Sequence, residues 1–367
     1  MGDIGCRHAN FSVWSSGVPM RHVARQRETS SIDMSTMCYS AKILADFRAY
    51  QRFGGTLDMR AFAELAGWAT EAGTWMSAVP KAMRNAFLAS ALPEDEEARN
   101  AALEAYRVAA LAQEQLIAEQ TDRLTRAEAV LAGPKPTKKA ANDKRIATNK
   151  IAEACRKLGE VNDFAIQDGF ERIWPGHYAP VLIRDPDTGE KRVVPMRYRC
   201  RLPGWTAADE REKPGTYMAR RDSLSTVWRK LWGYNHAVIV ASRFFESVKL
   251  HDLQHRSLAP GERESSVELE FRPEPAQEMF LACLWRYSEP TETEAGFYSF
   301  AAISRPPPPE VRAAGHDRCI IAIKPQYLDT WLNPDPRRLA EQDAILDDPI
   351  DVYYEHQLSA PDNGDED

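Results

Sequence analysis

Two blocks of opposite character divide this 367-residue chain, and that division limits what it can fold into. Residues 93–132 are dominated by Ala, Leu, Glu and Gln, with Pro93 at a first-turn position and acidic residues at 94–97 suited to the positive end of a helix dipole. Gly133-Pro134-Lys135-Pro136 ends this helix, because proline lacks the amide hydrogen and clashes with the preceding turn. A second helix is expected at about 137–158, carrying Lys138, Lys139, Lys144, Arg145, Lys150, Arg156 and Lys157. These charges read most simply as a solvated face, and alternatively as an arm that touches phosphates. Downstream the pattern changes. Short β-type runs occur at 180–184, 191–197, 236–241, 267–271, 279–284, 297–303 and 319–323, separated by turn chemistry such as Asp185-Pro186-Asp187-Thr188-Gly189.

Helices and strands segregated in this way specify an α+β chain. Residues 38–92 read as mostly helical, with Phe62, Leu65, Trp68 and Trp75 spaced as an apolar stripe. Pro306 to Pro309 reads as a stiff extended loop, and 325–332 as a helix restart. Residues 1–36 have neither helical nor strand periodicity and read as a disordered leader or a start placed too early. Residues 336–367 read as an acidic tail, frayed beyond Asp347.

Composition removes several function classes. The net charge of −7 lacks the basic excess that marks most nucleic-acid binders, although a local basic groove remains open. Six cysteines are far apart and form no C-x-x-C pair, which argues against a disulfide scaffold or a zinc site and for a reducing compartment. No stretch approaches the ~18 apolar residues of a membrane span, and Arg21, Arg25, Arg27 and Glu28 interrupt any signal-peptide core. A cytoplasmic monomer without cofactor is expected.

The motif with the most chemistry in it is Met37-Cys38. A cysteine that becomes residue one after methionine removal carries an amine and a thiol on adjacent carbons. Such a 1,2-aminothiol captures an aldehyde as a five-membered thiazolidine. This needs a start at Met37 or loss of the leader, since an amide nitrogen is not nucleophilic. Two downstream segments match it: Phe244-Phe245-Glu246 and Gly315-His316-Asp317-Arg318.

The order of these motifs resembles the SOS response-associated peptidase family, whose members are also called abasic-site processing proteins. Members begin Met-Cys, then carry Asn-Ala-Arg-x-Glu, an arm ending Phe-Tyr-Glu, and a late His-Asp-Arg. Here the counterparts are Met37-Cys38, Met218-Ala219-Arg220-Arg221-Asp222, Phe244-Phe245-Glu246 and His316-Asp317-Arg318. Met196-Arg197-Tyr198 with Leu202-Pro203-Gly204-Trp205 is similar to the family's Met-Arg-Trp-Gly-Leu-x-Pro-x-Trp, and Trp331-Leu332-Asn333-Pro334 to its closing helix. The similarity covers about 38–60 and 165–335.

The resemblance implies a single β-rich mixed domain over 37–335, with flanking helices and a long helical insertion at about 80–160, that binds single-stranded DNA and traps the ring-opened aldehyde of an abasic site. It assigns Cys38 as nucleophile, Glu246 as acceptor of the amine's proton, and His316 as the donor that helps open the sugar. A free α-amine titrates near ~7.7–8.0, so part of it is already neutral at cytoplasmic pH. Arg220, Arg318 and Arg197 would contact DNA, and Tyr198 would stack on an exposed base. Two departures stand out: Met218 replaces the family's asparagine, and Ser40 an arginine that follows Met-Cys. Without the resemblance, Arg220 and Arg221 are surface charges, His177 is structural, and Cys200, Cys283 and Cys319 are core residues. Two further functions stay open: a cysteine autopeptidase acting on the Met37 peptide, and a non-catalytic single-stranded DNA-binding module.

Overall fold

The computed structural model describes residues 40–161, 163, 169–292 and 294–360. The leader and Cys38 lie outside them, as do residues 361–367 of the tail. Two compact units are present, one built on 37–110 with 163–367, the other including 111–162.

The larger unit holds the strands β1 (Ser40–Leu44), β2 (Thr56–Leu57), β3 (Phe170–Ile173), β4 (Tyr178–Arg184), β5 (Lys191–Tyr198), β6 (Met218–Arg220) and β7 (His236–Lys249). They continue as β8 (Ser266–Glu274), β9 (Met279–Ser288), β10 (Phe297–Arg305), β11 (Cys319–Ile320), β12 (Ala322–Ile323) and β13 (Tyr353–Leu358). Six of the seven expected runs fall within single strands, and 319–323 is split at Ile321 into β11 and β12. β9, β10, β5, β4 and β7 pair in turn, and β7 pairs back onto β9, so five strands close a ring. Closure leaves no edge among these five. Their apolar runs are buried almost end to end, with Val181, Val194, Met196, Val240, Leu281 and Ala302 sealed from solvent. Such burial needs the β-branched and large apolar residues that the sequence supplies.

β7 outlasts the ring. Its first half, from His236 to Ala241, faces β9. Its second half leaves the ring and pairs with β1 on one side and β8 on the other. Phe244 anchors this extension, stacking on Phe271 at 4.9 Å with Tyr354 against its edge at 5.2 Å. Glu246 therefore stands on the part of β7 that projects past the ring.

The helices are α1 (Met59–Glu71), α2 (Trp75–Ala78), α3 (Lys81–Ala86), α4 (Glu96–Ala132) and α5 (Lys138–Val161), then α6 (Ala207–Glu212), α7 (Leu250–Leu253), α8 (Pro309–Ala313), α9 (Leu328–Trp331) and α10 (Leu339–Asp347). Asp58 caps α1 by accepting from the Ala61 amide at 3.0 Å, which satisfies one orphan donor of the first turn. Phe62 and Trp75 do meet in one cluster, through Phe87 and Phe47.

Three expectations are corrected. Residues 40–44 are a strand, because β3 and β7 flank the segment and supply both ladders. The tail is not frayed throughout: β13 pairs with β8 over six residues and buries Tyr354. The proline loop gives way to α8 at Pro309, where the fixed proline φ suits the first helical position.

In the other unit, α4 and α5 carry the described chain on either side of Gly133. α5 buries Ala140, Ala147, Ile151 and Ala154, a spacing of seven, four and three residues that makes a narrow apolar seam.

Candidate functional site

The extension of β7 aims Glu246 at the loop that follows α8. His316 Nε2 lies 3.2 Å from Glu246 Oε2, with the histidine side chain 12% exposed and the carboxylate 3%. On the far side of the ring, Nδ1 is 2.9 Å from the Arg318 carbonyl and 3.3 Å from the Arg318 amide. Both groups belong to one residue, so His316 can bond it in either protonation state. A neutral ring accepts from the Arg318 N–H, and an imidazolium donates to the Arg318 C=O. In both of these states Nε2 carries a proton on the side of Glu246, at ion-pair distance from its carboxylate. If the proton sits on Glu246 instead, the carboxyl donates to Nε2. A neutral ring protonated at Nδ1 donates to the Arg318 carbonyl and leaves Nε2 bare toward Glu246.

Burial pushes His316 below its ordinary value, with Asp317 pulling the other way. An ionised Glu246 at this range also favours the charged imidazole. The pair is thus equipped to take a proton from one group and deliver it to another while water is kept out.

Ser40 opens β1 opposite Phe245, the residue before Glu246. It is buried and accepts a hydrogen bond from Arg172 Nε at 2.8 Å. The Arg172 guanidinium also lies over the Phe245 ring at 3.8 Å and pairs with Glu268. The sequence reading missed Arg172, since nothing in a short polar strand marks it.

Arg220 and Arg318 flank the end of β10. Ser304 pairs in register with Arg220 on β6 and with Ile320 on β11, so the two outer strands are separated by about 10 Å, twice the strand spacing. Arg220 is 53% exposed and, among the described residues, pairs with Asp222 at 3.3 Å, a surface interaction worth about 1 kcal/mol at most. Arg318 is 23% exposed, with Asp317 at 3.8 Å. Both guanidiniums are available to an anion. Ser304 itself was also missed. It is fully buried, and its hydroxyl has no hydrogen-bond partner among the described residues. The signal was a polar residue in phase with Phe300 and Ala302 on β10.

Two expected DNA contacts are corrected. Tyr198 is 1% exposed and stacks on Phe300 at 5.1 Å, so it presents no ring face to a base. Arg197 pairs with Glu210 and lies over Phe297 at 4.4 Å, which neutralises and covers it inside the fold. Cys200, Cys283 and Cys319 are buried, and burial pushes the Cys200 thiol up to about 12 and the other two upward as well. None of the three is a thiolate nucleophile. His177 is pushed down to about 4 by burial and packs on Trp174. Met218 is half-buried and pairs through its backbone with Ala302, so the thioether stands where the family has an amide.

A cleft of about 750 Å³ opens beside His316 and Gly315, walled by Asp252, Arg256, Pro307 and Arg312 among others. Among the described residues there is no cluster of three or more His, Cys, Asp or Glu able to hold a metal, and no helix long and apolar enough to cross a membrane.

The profile of the family described as SOS response associated peptidase (SRAP) matches residues 141–359, more than half of the chain. The chain belongs to this family. Membership ties it to the SOS response to DNA damage. Solved structures similar to it include a protein from Bordetella bronchiseptica, 17% identical over 52% of this chain and 87% of that one, at a TM-score of 0.40. A protein from Bacteroides thetaiotaomicron is 14% identical over 52% and 78%, at 0.41. A phage-related protein from Bordetella bronchiseptica is 16% identical over 54% and 85%, at 0.38. No curated protein matches significantly.

Proposed function

We propose that this protein is a sensor of abasic sites in single-stranded DNA, which it captures covalently through Cys38. The neutral α-amine of Cys38 attacks the aldehyde carbon of the ring-opened sugar, and loss of water gives a Schiff base. The thiol then adds to the imine carbon, and the nitrogen keeps one proton in the resulting thiazolidine. One water leaves overall. Glu246 accepts the proton that the attacking amine sheds, and His316 delivers a proton to the sugar oxygen as the ring opens. Arg220 and Arg318 hold the flanking phosphates. Arg172, reaching Ser40 from β3, supplies the cation that other members carry shortly after Met-Cys.

The observation that carries this reading is the buried Glu246–His316 pair beside the strand that starts two residues after Cys38. The autopeptidase alternative would need the same pair to activate a thiol against an unactivated amide, and no separate observation favours it.

Intact mass is the test. Protein beginning at Cys38, incubated with a single-stranded oligonucleotide containing one abasic site, should give an adduct equal to protein plus DNA minus one water. A chain that retains residues 1–37 should give none. An adduct that still contains the leader would refute the aminothiol chemistry.

A further inference from the structure

We propose that α7 and Gly315 form a brace that positions His316 against Glu246, which makes Gly315 a positioning residue for the crosslinking reaction. The inference rests on the role given above to the Glu246–His316 pair.

The strand that carries Glu246 does not end there. β7 runs on to Lys249, and α7 begins at Leu250. The chain then turns back onto the loop that bears His316. A Cβ added to Gly315 would lie 3.0 Å from Asp252 Cβ, 3.2 Å from the Leu253 nitrogen and 3.3 Å from the Asp252 carbonyl carbon. Two of these three atoms are backbone and cannot rotate away. Gly315 also has φ +94°, a conformation that side chains other than hydrogen rarely adopt. Sterics and backbone conformation each require glycine here.

From the opposite side α8 holds the same loop. The Gly315 amide donates to the Arg312 carbonyl at 2.9 Å, and the His316 amide to the Val311 carbonyl at 3.2 Å, with Val311 fully buried. The loop is clamped between α7 and α8. One continuous segment thus supplies both the carboxylate and the wall against which its histidine partner rests.

At 3.2 Å the two side chains stand within ion-pair range, and their interaction weakens as the gap widens, so a displacement of the His316 loop is felt by the pair. Gly315 and His316 are adjacent in the chain, and a shift forced on one is passed to the other. The charged and titratable groups around His316 are Glu246 from β7, Asp252, His255 and Arg256 from α7 and the turn after it, Arg312 from α8, and Asp317 beside it. All except Glu246 line the cleft.

The experiment uses Gly315→Ala in protein beginning at Cys38. Adduct formation at saturating abasic DNA should slow by about 10-fold or more, in the range that loss of a positioned acid–base group gives. Affinity for the same strand with its abasic aldehyde reduced to an alcohol should change less than twofold. The titration midpoint of the His316 ring, followed by NMR without DNA, should shift, because its burial and its distance from Glu246 both change. Asp252→Gly removes the nearest atom, and added to Gly315→Ala it should restore part of the rate, a coupling that independent sites would not show. If Gly315→Ala fails to fold, Leu253→Gly loosens α7 directly and is read by the same rate and titration. A folded variant with unchanged rate and unchanged titration overturns the brace. So does a parallel loss of rate and affinity that Asp252→Gly does not relieve. If the wild type forms no adduct at all, the proposed function falls, and the NMR titration still decides the brace on its own.

Discussion

The end of β7 and the helical segment 111–162 handle charge in opposite ways. At the end of β7, a carboxylate and an imidazole are buried against each other, 3.2 Å apart. In the helical segment 111–162, five of the ten cations form ion pairs at the surface: Arg123 with Asp143 at 2.6 Å, Lys144 with Glu128 at 2.8 Å, Arg126 with Asp122 at 2.8 Å, Lys157 with Glu153 at 2.6 Å, and Arg156 with Glu160. Exposed pairs of this kind contribute a few tenths to about 1 kcal/mol each, whereas removing one member of a buried pair costs about 3–5 kcal/mol. The first arrangement is expensive to maintain and useful for moving protons. The second keeps a long helical segment soluble and regular. The difference teaches where to look for chemistry in this chain: seven basic residues on α5 carry less functional information than one buried histidine.

The largest effects should follow from the buried pair. His316→Ala and Glu246→Ala should each slow adduct formation by about 10²-fold, the low end of a general acid–base contribution, without abolishing it, because an aminothiol reacts with aldehydes unaided. Single-turnover rates on abasic single strands measure this. Rates within threefold of wild type for both variants would reduce the pair to a structural ion pair, and the comparison would lose its functional half.

A smaller effect concerns acid stability of the ring. His236 is fully buried, accepts from the Gly233 amide at 3.0 Å through Nε2, and has Nδ1 3.2 Å from the Trp331 carbonyl. Burial pushes it down to about 3. The unfolded chain therefore binds this proton first, near its ordinary ~6.5, so stability is full above that pH and falls as pH drops toward 3. The loss is about 1.4 kcal/mol at pH 5.5 relative to pH 7.5. Urea denaturation at the two pH values should show the loss in wild type and a smaller one in His236→Gln. Residues 111–162 contain no histidine and should add nothing to this dependence.

The smallest effect belongs to α5. Changing Lys138, Lys139, Lys144 and Arg145 together to Gln should leave the salt dependence of DNA binding within about half a unit of log-log slope. Lys144 already pairs with Glu128, and Arg145 with Asn142 at 3.1 Å. A fall of two units or more would mean that at least two phosphate contacts come from this helix, and would move it into the binding surface.

How far the sequence could be read depends on where each signal came from. The strands of the ring were legible because both faces are buried, which writes near-continuous apolar runs into the chain. β1 was not: Ser40-Ala41-Lys42-Ile43-Leu44 contains good helix formers, and it is extended only because two neighbouring strands claim its backbone. Glu246 and His316 could be named from the order of motifs, but no local pattern shows that they meet across 70 residues. Tyr198 and Arg197 were misassigned for the same reason. Their environment is set by Phe300 and Glu210, which come from other elements. Gly315 could have been flagged as a turn residue, yet its contact with Asp252 exists only in three dimensions.

The central claim is that Cys38 is the trapping nucleophile, and it lies outside the described residues. A denaturing gel of protein beginning at Cys38 with single-stranded DNA containing one abasic site tests it most directly, run beside Cys38→Ala and a native binding assay. The account predicts a shifted band in the wild type, none with Cys38→Ala, and non-covalent binding by both, since Arg220 and Arg318 remain in place. A band that persists with Cys38→Ala would contradict it and assign the trapping to another nucleophile such as a lysine.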